Sequence, residues 1–185
     1  AYMFRYMNPQ YYFINVSLYQ GGNSSGWYAA FGVYSAFQNG TARSTATQSV
    51  KNQVDTWKNT VNSLSSEAEK VKMIHDLIVQ KVDYNTDIYG NSFNEDTAYT
   101  QSVYSVFCMD KTVCAGYAQA FEMMCNGVGV DCIAVTSDDH EWNKVRINDS
   151  WYNVDCTWAD QSTIDYEYFE RSDAYLLYTS PSPRD

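Results

Sequence analysis

The stretch His140-Glu141-Trp142-Asn143-Lys144-Val145-Arg146-Ile147-Asn148-Asp149-Ser150-Trp151-Tyr152-Asn153-Val154-Asp155-Cys156-Thr157-Trp158 reads as two alternating strands joined by a tight turn. Asn148-Asp149 tolerates positive φ at both positions, the requirement of a two-residue hairpin turn, and it places Ile147 opposite Ser150. Counting outward, Trp142 faces Asp155 and His140 faces Thr157. Paired residues share a sheet face, so His140, Trp142, Lys144 and Arg146 join Trp151, Asn153, Asp155 and Thr157 on one side. Val145, Ile147, Tyr152, Val154 and Cys156 take the other, which is the core face. Asp155 then lies diagonal to His140, about 7–8 Å away between backbone positions, within reach for its carboxylate to hydrogen-bond an imidazole nitrogen. A slip of one residue would separate the two across the sheet.

Upstream, Val113, Tyr117, Ala120, Phe121 and Met124 recur at helical spacing, and Gly127 and Gly129 supply the stop. Cys114 falls in the first turn of that helix, where the positive end of the backbone dipole and unpaired N–H groups favour a thiolate. Ala115 and Gly116 beside it leave room for a substrate carbonyl. Cys108, Cys125, Cys132 and Cys156 read as small buried hydrophobes. Ile133 and Val135 mark a further strand before the ribbon.

The rest of the chain supplies helices and turns. Residues 2–37 read as strand, loop and strand, broken at Gly21-Gly22-Asn23-Ser24-Ser25-Gly26. An amphipathic helix begins at Ser44 and carries Val50, Val54, Trp57, Val61 and Leu64 on one face. Ser66 with Glu69 forms a capping box for a second helix, bearing Val71, Ile74, Ile78 and Val82 and expected to end near Tyr84. Its His75 follows Ile74 on the apolar face and reads as a core residue satisfied by a backbone carbonyl. Residues 85–99 read as a surface loop, Ser102 to Phe107 as a short apolar helix, and 179–185 as a disordered tail. The expected organisation is one domain over 1–178, its catalytic core about 44–170.

Composition narrows the function. The 185 residues carry 12 Lys and Arg against 22 Asp and Glu, for a net charge of -10 with the basic residues scattered, so a nucleic-acid backbone is not an expected partner. No apolar run approaches the roughly 20 residues needed to span a bilayer. Two His and five Cys without a Cys-x-x-Cys pair give poor support for a structural metal, and no calcium-loop pattern occurs, so neither metal nor other cofactor is expected. Seventeen Tyr with few Lys and many Asn, Ser and Thr match the composition of secreted bacterial proteins, which makes a secreted or cell-envelope location the expectation, with any leader outside this segment. In an oxidising compartment five Cys leave at least one free thiol. Cys125 with Cys132, or Cys108 with another, are pairings left open, because connectivity is not deducible from sequence.

Cys114 as nucleophile, His140 as proton carrier and Asp155 as the group orienting His140 form an acyl-transfer triad. Trp142 and Trp151 on the reactive face, with Tyr117, are the candidate walls of a substrate cleft. The backbone N–H of Cys114 is one expected oxyanion donor, and Gln101, Tyr104 and Tyr84 are undecided candidates for a second.

Val113-Cys114-Ala115-Gly116-Tyr117-Ala118, His140-Glu141-Trp142-Asn143-Lys144-Val145 and Trp151-Tyr152-Asn153-Val154-Asp155-Cys156-Thr157-Trp158 together resemble the three motifs of the bacterial transglutaminase-like superfamily. The resemblance implies an α+β, papain-like architecture in which the Cys helix packs on an antiparallel sheet bearing His and Asp. It places the family's roles on Cys114, His140 and Asp155, and the chain departs from it after Tyr168. It implies a thioester intermediate on the Cys, resolved by water or by an amine. Water needs no second binding site, so hydrolysis of a peptide or other amide bond in a peptide, protein or glycopeptide is the first expectation. Transamidation of protein glutamine is the second, and a non-catalytic peptide- or glycan-binding module the third.

Overall fold

Asn23-Ser24-Ser25-Gly26 is the first point at which the chain reverses, and it does so with Gly26 at φ +142° and the Asn23 side chain accepting the Ser25 N–H. The structure is a computed structural model describing residues 2–86 and 99–172, except for the side chains of Tyr2, Met3 and Val16. The expected loop at 85–99 falls largely, and the tail at 179–185 wholly, outside those residues. A short helix α1 (Tyr2–Tyr6) and a 3-10 turn at Pro9–Tyr11 precede the antiparallel hairpin β1 (Ile14–Asn23) and β2 (Gly26–Val33). Gly21 and Gly22 were expected in the loop but continue β1, because the Tyr28 and Trp27 rings lie across them where a Cβ would stand.

Helix α2 (Gly40–Val61) starts four residues before Ser44, capped by the Asn39 side chain, which accepts from the N–H groups of Thr41 and Ala42. It buries Val50, Val54, Trp57 and Val61, as the periodicity predicts. Helix α3 (Glu67–Val79) opens on the Ser66–Glu69 capping box and buries Val71, Ile74, His75, Ile78 and Val79. It ends at Val79 rather than near Tyr84. The next residues are taken by strand β3 (Asp83–Tyr84), which pairs in parallel with β4 (Lys111–Thr112) beyond α4 (Val103–Cys108). No local pattern announces a strand pair whose halves lie so far apart in sequence.

Helix α5 (Cys114–Gly127) carries the nucleophile candidate and buries eight of its residues. Tyr117, Ala118, Ala120, Phe121, Met124 and Cys125 are each no more than 1% exposed, and a buried side chain the size of Phe121 contributes about 1.5–3 kcal/mol of apolar burial. The helix closes with Gly129 at φ +82°, the Val130 N–H bonding to the Cys125 carbonyl and the Gly129 N–H to that of Asn126. These bonds satisfy the Cys125 and Asn126 carbonyls of the last turn.

The chain then forms β5 (Cys132–Thr136), β6 (Glu141–Ile147) and β7 (Ser150–Val154), an antiparallel sheet in the order β5-β6-β7. The predicted register holds: Ile147 pairs with Ser150, Val145 with Tyr152 and Asn143 with Val154, around Asn148 and Asp149 at φ 48° and 65°. Val145, Ile147, Val154 and Cys156 are buried against the helices. The expected strand from Trp151 to Trp158 stops at Val154, however, and Cys156–Ala159 forms a helical turn, α6. Asp155 caps it, its Oδ1 accepting from the N–H groups of Thr157 and Trp158 at 3.0 and 3.1 Å.

Candidate active site

Sheet and helix meet through one buried amide. Asn143 on β6 donates from Nδ2 to the Ala118 carbonyl of α5 at 2.9 Å and to the Ile133 carbonyl of β5 at 3.4 Å. Ala118 is one turn along from Cys114 and Asn143 is three residues along from His140, so this contact sets the height of the thiol relative to the imidazole. Gly116 makes the packing below Cys114 possible. A Cβ there would overlap Thr112 Oγ1 and press on the Ser102 carbonyl and Ser105 Oγ. Its missing side chain therefore makes room for β4 and α4, not for a substrate carbonyl as the sequence suggested.

His140 precedes β6, and its Nε2 lies 2.6 Å from Asp155 Oδ2. That carboxylate belongs to the first turn of α6 rather than to a strand, but the diagonal contact predicted from the register is made. The Trp158 indole N–H reaches the same nitrogen at 2.9 Å. A nitrogen giving its proton to a carboxylate has no lone pair to offer, and the shorter, charge-assisted contact to Asp155 assigns the proton to Nε2. The indole then acts as a wall, edge-on to His140 with ring centroids 5.9 Å apart, and Trp142 stacks on the ring's face at 5.9 Å and 16°. Nδ1 is left for the Cys114 side chain, whose influence helps to raise the His140 pKa.

Burial pulls the His140 pKa down, but the hydrogen bonds to Asp155 and Cys114 and their negative charge outweigh it and push it up to about 10. At neutral pH the ring is an imidazolium. Cys114 is half-buried at the N-terminus of α5, so Sγ sees both that cation and the open N–H groups of the first helical turn. The three groups can support nucleophilic attack on a carbonyl and protonation of what leaves.

The cleft residues divide. Trp142 is at the site, its indole N–H held by Asn153 Oδ1 at 3.1 Å. Tyr117 is not: it is 1% exposed, and its hydroxyl donates to Asp160 Oδ2 at 2.6 Å. It lies on the core face of α5, three residues past Cys114 on a helix buried nearly all round. Trp151 pairs with Arg146 near the hairpin turn, six residues from His140, about 20 Å along a strand, so it is not at the site either.

Tyr104 packs among Tyr12, Phe37 and Tyr99, away from the triad. Tyr84 is in β3, beside the β4 residues that lead into Cys114. His75 is in the core as expected, but its Nδ1 meets Asp76 Oδ1 at 2.9 Å rather than a backbone carbonyl.

Two features escaped the sequence reading. Trp158 would have been found by reading Asp155 as a helix cap, which brings the residue three positions on back beside it. Behind β6, Glu141 faces Gln119 and Glu122 of α5, and Glu141 Oε1, Glu122 Oε2 and both amide atoms of Gln119 have no hydrogen-bond partner among the described residues. Burial raises Glu141 to about 8, with the nearby Glu122 adding to it, and raises Glu122 to about 7. The i, i+3 spacing of Gln119 and Glu122 on an otherwise apolar helix face was the available signal.

Residues 55–156, more than half of the chain, match the family model of the transglutaminase-like superfamily. The kyphoscoliosis peptidases of Mus musculus and Homo sapiens are each 29% identical to the chain over 110 residues, covering 51% of it and 16% of the relative. The chain thus spans about a sixth of the length of these curated relatives. A crystal structure of a TGase superposes with a TM-score of 0.54 at 12% identity, covering 87% of this chain and 49% of that one, a likeness of fold.

Proposed function

The chain belongs to the transglutaminase-like superfamily, a cysteine-based enzyme superfamily, and from that premise we propose that it hydrolyses amide bonds in peptides or proteins through a thioester on Cys114. The observation that carries the reading is the convergence of Cys114, an imidazolium at His140 and the Asp155 carboxylate across the junction of α5 and the sheet. The similarity to two peptidases supports water, rather than an amine, as the group that resolves the thioester.

In this reading the Cys114 thiolate adds to the carbonyl carbon, and the oxygen takes the negative charge beside the Cys114 N–H. His140 gives its proton to the departing amine as the carbon–nitrogen bond breaks. His140, now neutral, takes a proton from water as the water oxygen attacks the thioester. The carbon–sulfur bond then breaks, the acid leaves, and thiolate and imidazolium are restored. Asp155 keeps the proton on Nε2 and so presents Nδ1 to the chemistry throughout. Trp142 and Trp158 flank the ring and limit the approach of solvent.

Incubating the wild type and Cys114→Ala with a mixed peptide and glycopeptide library, with product masses recorded, tests the proposal. Addition of one water per cleaved bond, absent from Cys114→Ala, is the expected result. Loss of ammonia on joining an added amine would reassign the reaction to transamidation, and retention of ligand without turnover by both proteins would mark a binding module.

A further inference from the structure

Asn153 on β7 is 2% exposed and lies diagonal to Trp142 across the β6–β7 pair, in which Lys144 is its direct partner. Its carboxamide is engaged at both ends. Oδ1 accepts the Trp142 indole N–H at 3.1 Å, and Nδ2 donates to the Arg171 carbonyl at 3.2 Å. The backbone of Asn153 pairs with the same residue in both directions, donating its N–H to the Arg171 carbonyl at 2.8 Å and accepting the Arg171 N–H at 3.0 Å. Nearby, the Tyr168 carbonyl accepts the Asp155 N–H at 3.1 Å, and the Tyr168 ring lies 5.2 Å from that of Trp158. The returning residues 168–171 thus brace the end of β7 from the side, and they lie beyond the stretch 55–156 that matches the family model.

His140 has use for such a brace. It precedes β6 rather than lying in it, and Asp155 and Trp158 both meet its ring at Nε2, a single point about which a planar ring can still tilt. Trp142, stacked on the face of the ring at 16°, opposes that tilt, and its own indole is oriented by the bond to Asn153. We infer that Asn153 is a positioning residue for the reaction: seated on Arg171, it pins the Trp142 indole, and the pinned indole keeps the His140 ring at the angle at which Nε2 meets Asp155 and Nδ1 is left for the chemistry. The inference rests on the acid–base role given to His140 under the proposed function. A small error in the angle of a proton carrier is costly, because proton transfer requires the reacting atoms to be aligned.

The test compares the full-length wild type with Asn153→Ala, Trp142→Phe and the double variant, each assayed well below its melting temperature on a peptide that the wild type cleaves. The two single substitutions delete the same bond, one from the acceptor side and one from the donor side, and each is expected to lower kcat on the order of 10–100-fold. The double variant should lose no more than the worse of the two, as residues acting through one contact do. By NMR, the His140 imidazole C–H resonances, assigned with His75→Leu, sense the ring current of the stacked indole. They should shift in Asn153→Ala while those of His75 stay in place, whereas a residue that only stabilised the fold would move neither. Trp142→Phe leaves the buried amide intact and keeps the test open should Asn153→Ala fail to fold. Losses that multiply in the double variant, full turnover by Trp142→Phe, or unmoved His140 resonances in folded Asn153→Ala would overturn the inference. A wild type that cleaves no peptide would sink the hydrolase reading alone, and the His140 resonances would still decide what Asn153 holds in place.

Discussion

The chain has two histidines, one on α3 and one before β6, and their surroundings differ in ways that separate a structural from a reactive imidazole. Each has an aspartate carboxylate within 3 Å, Asp76 at 2.9 Å from His75 and Asp155 at 2.6 Å from His140. Each is shielded, with side-chain exposures of 0% and 12%. Burial lowers the His75 pKa despite Asp76, yet His140 is driven up to about 10 against the same kind of burial. Asp76 also serves Lys72 at 2.6 Å and the Tyr166 hydroxyl at 3.0 Å, so its charge is shared with a cation already present. Among the described residues the second oxygen of Asp155 meets only neutral backbone N–H groups, which leaves its charge facing His140. The remaining nitrogen of His75 has no hydrogen-bond partner among the described residues, whereas His140 is also raised by the Cys114 side chain. An adjacent aspartate is therefore not enough to charge a buried imidazole; what else the aspartate binds, and the thiol that only His140 has beside it, decide.

The largest expected effect separates the two regions outright. Cys114→Ala and His140→Ala should each lower turnover on a peptide substrate at least about a thousandfold, while His75→Leu stays within severalfold of wild type in steady-state assays. Comparable losses from both histidines would erase the distinction. Next, Asp155→Asn should cost about 10²–10⁴-fold in kcat by freeing the imidazole to adopt the wrong tautomer. Asp76→Asn should change kcat little.

Titration of the two imidazoles by NMR then tests the electrostatic contrast itself, with only two histidines to assign. His140 should stay charged until about pH 10, and His75 should titrate below 6.5. The stability that His140 contributes is full below pH 6.5 and lost as pH rises through about 10; burial of neutral His75 has the opposite sign and costs stability as pH falls below 6.5. Asp155→Asn should bring His140 down toward 6.5, and an unmoved titration would contradict the role given to that carboxylate.

The smallest effect lies on the other face of β6. A buried Glu141 raised to about 8 stabilises the fold less and less as pH climbs from 4.5 through 8. Glu141→Gln should therefore raise Tm by a few degrees at pH 9 and by less at pH 6, read by calorimetry.

Much of this site was legible because local rules sufficed. Asn148-Asp149 dictates the turn, the turn dictates the register, and the register brings His140 to Asp155. The capping box at Ser66 and the glycine-closed end of α5 were equally local. The misses are those in which a distant partner decides. Cys156-Thr157-Trp158 continues the strand alternation, and the reading gave no weight to Asp155 as a cap. The β3–β4 pair depends on segments separated by an entire helix, and Gly21-Gly22 looks like a loop until the Trp27 and Tyr28 rings are laid over it. Tyr117 was grouped with Trp142 and Trp151 as a cleft wall, although three residues past Cys114 carry it round to the core side of the helix.

One carboxylate ends strand β7, starts helix α6 and holds the reactive ring. Conformation and proton affinity at this corner are thereby interlocked: if α6 frays, Asp155 loses the amides that aim it, and the imidazolium discharges with it. A misfolded or partly opened copy would disarm itself, with no inhibitor and no separate safety catch.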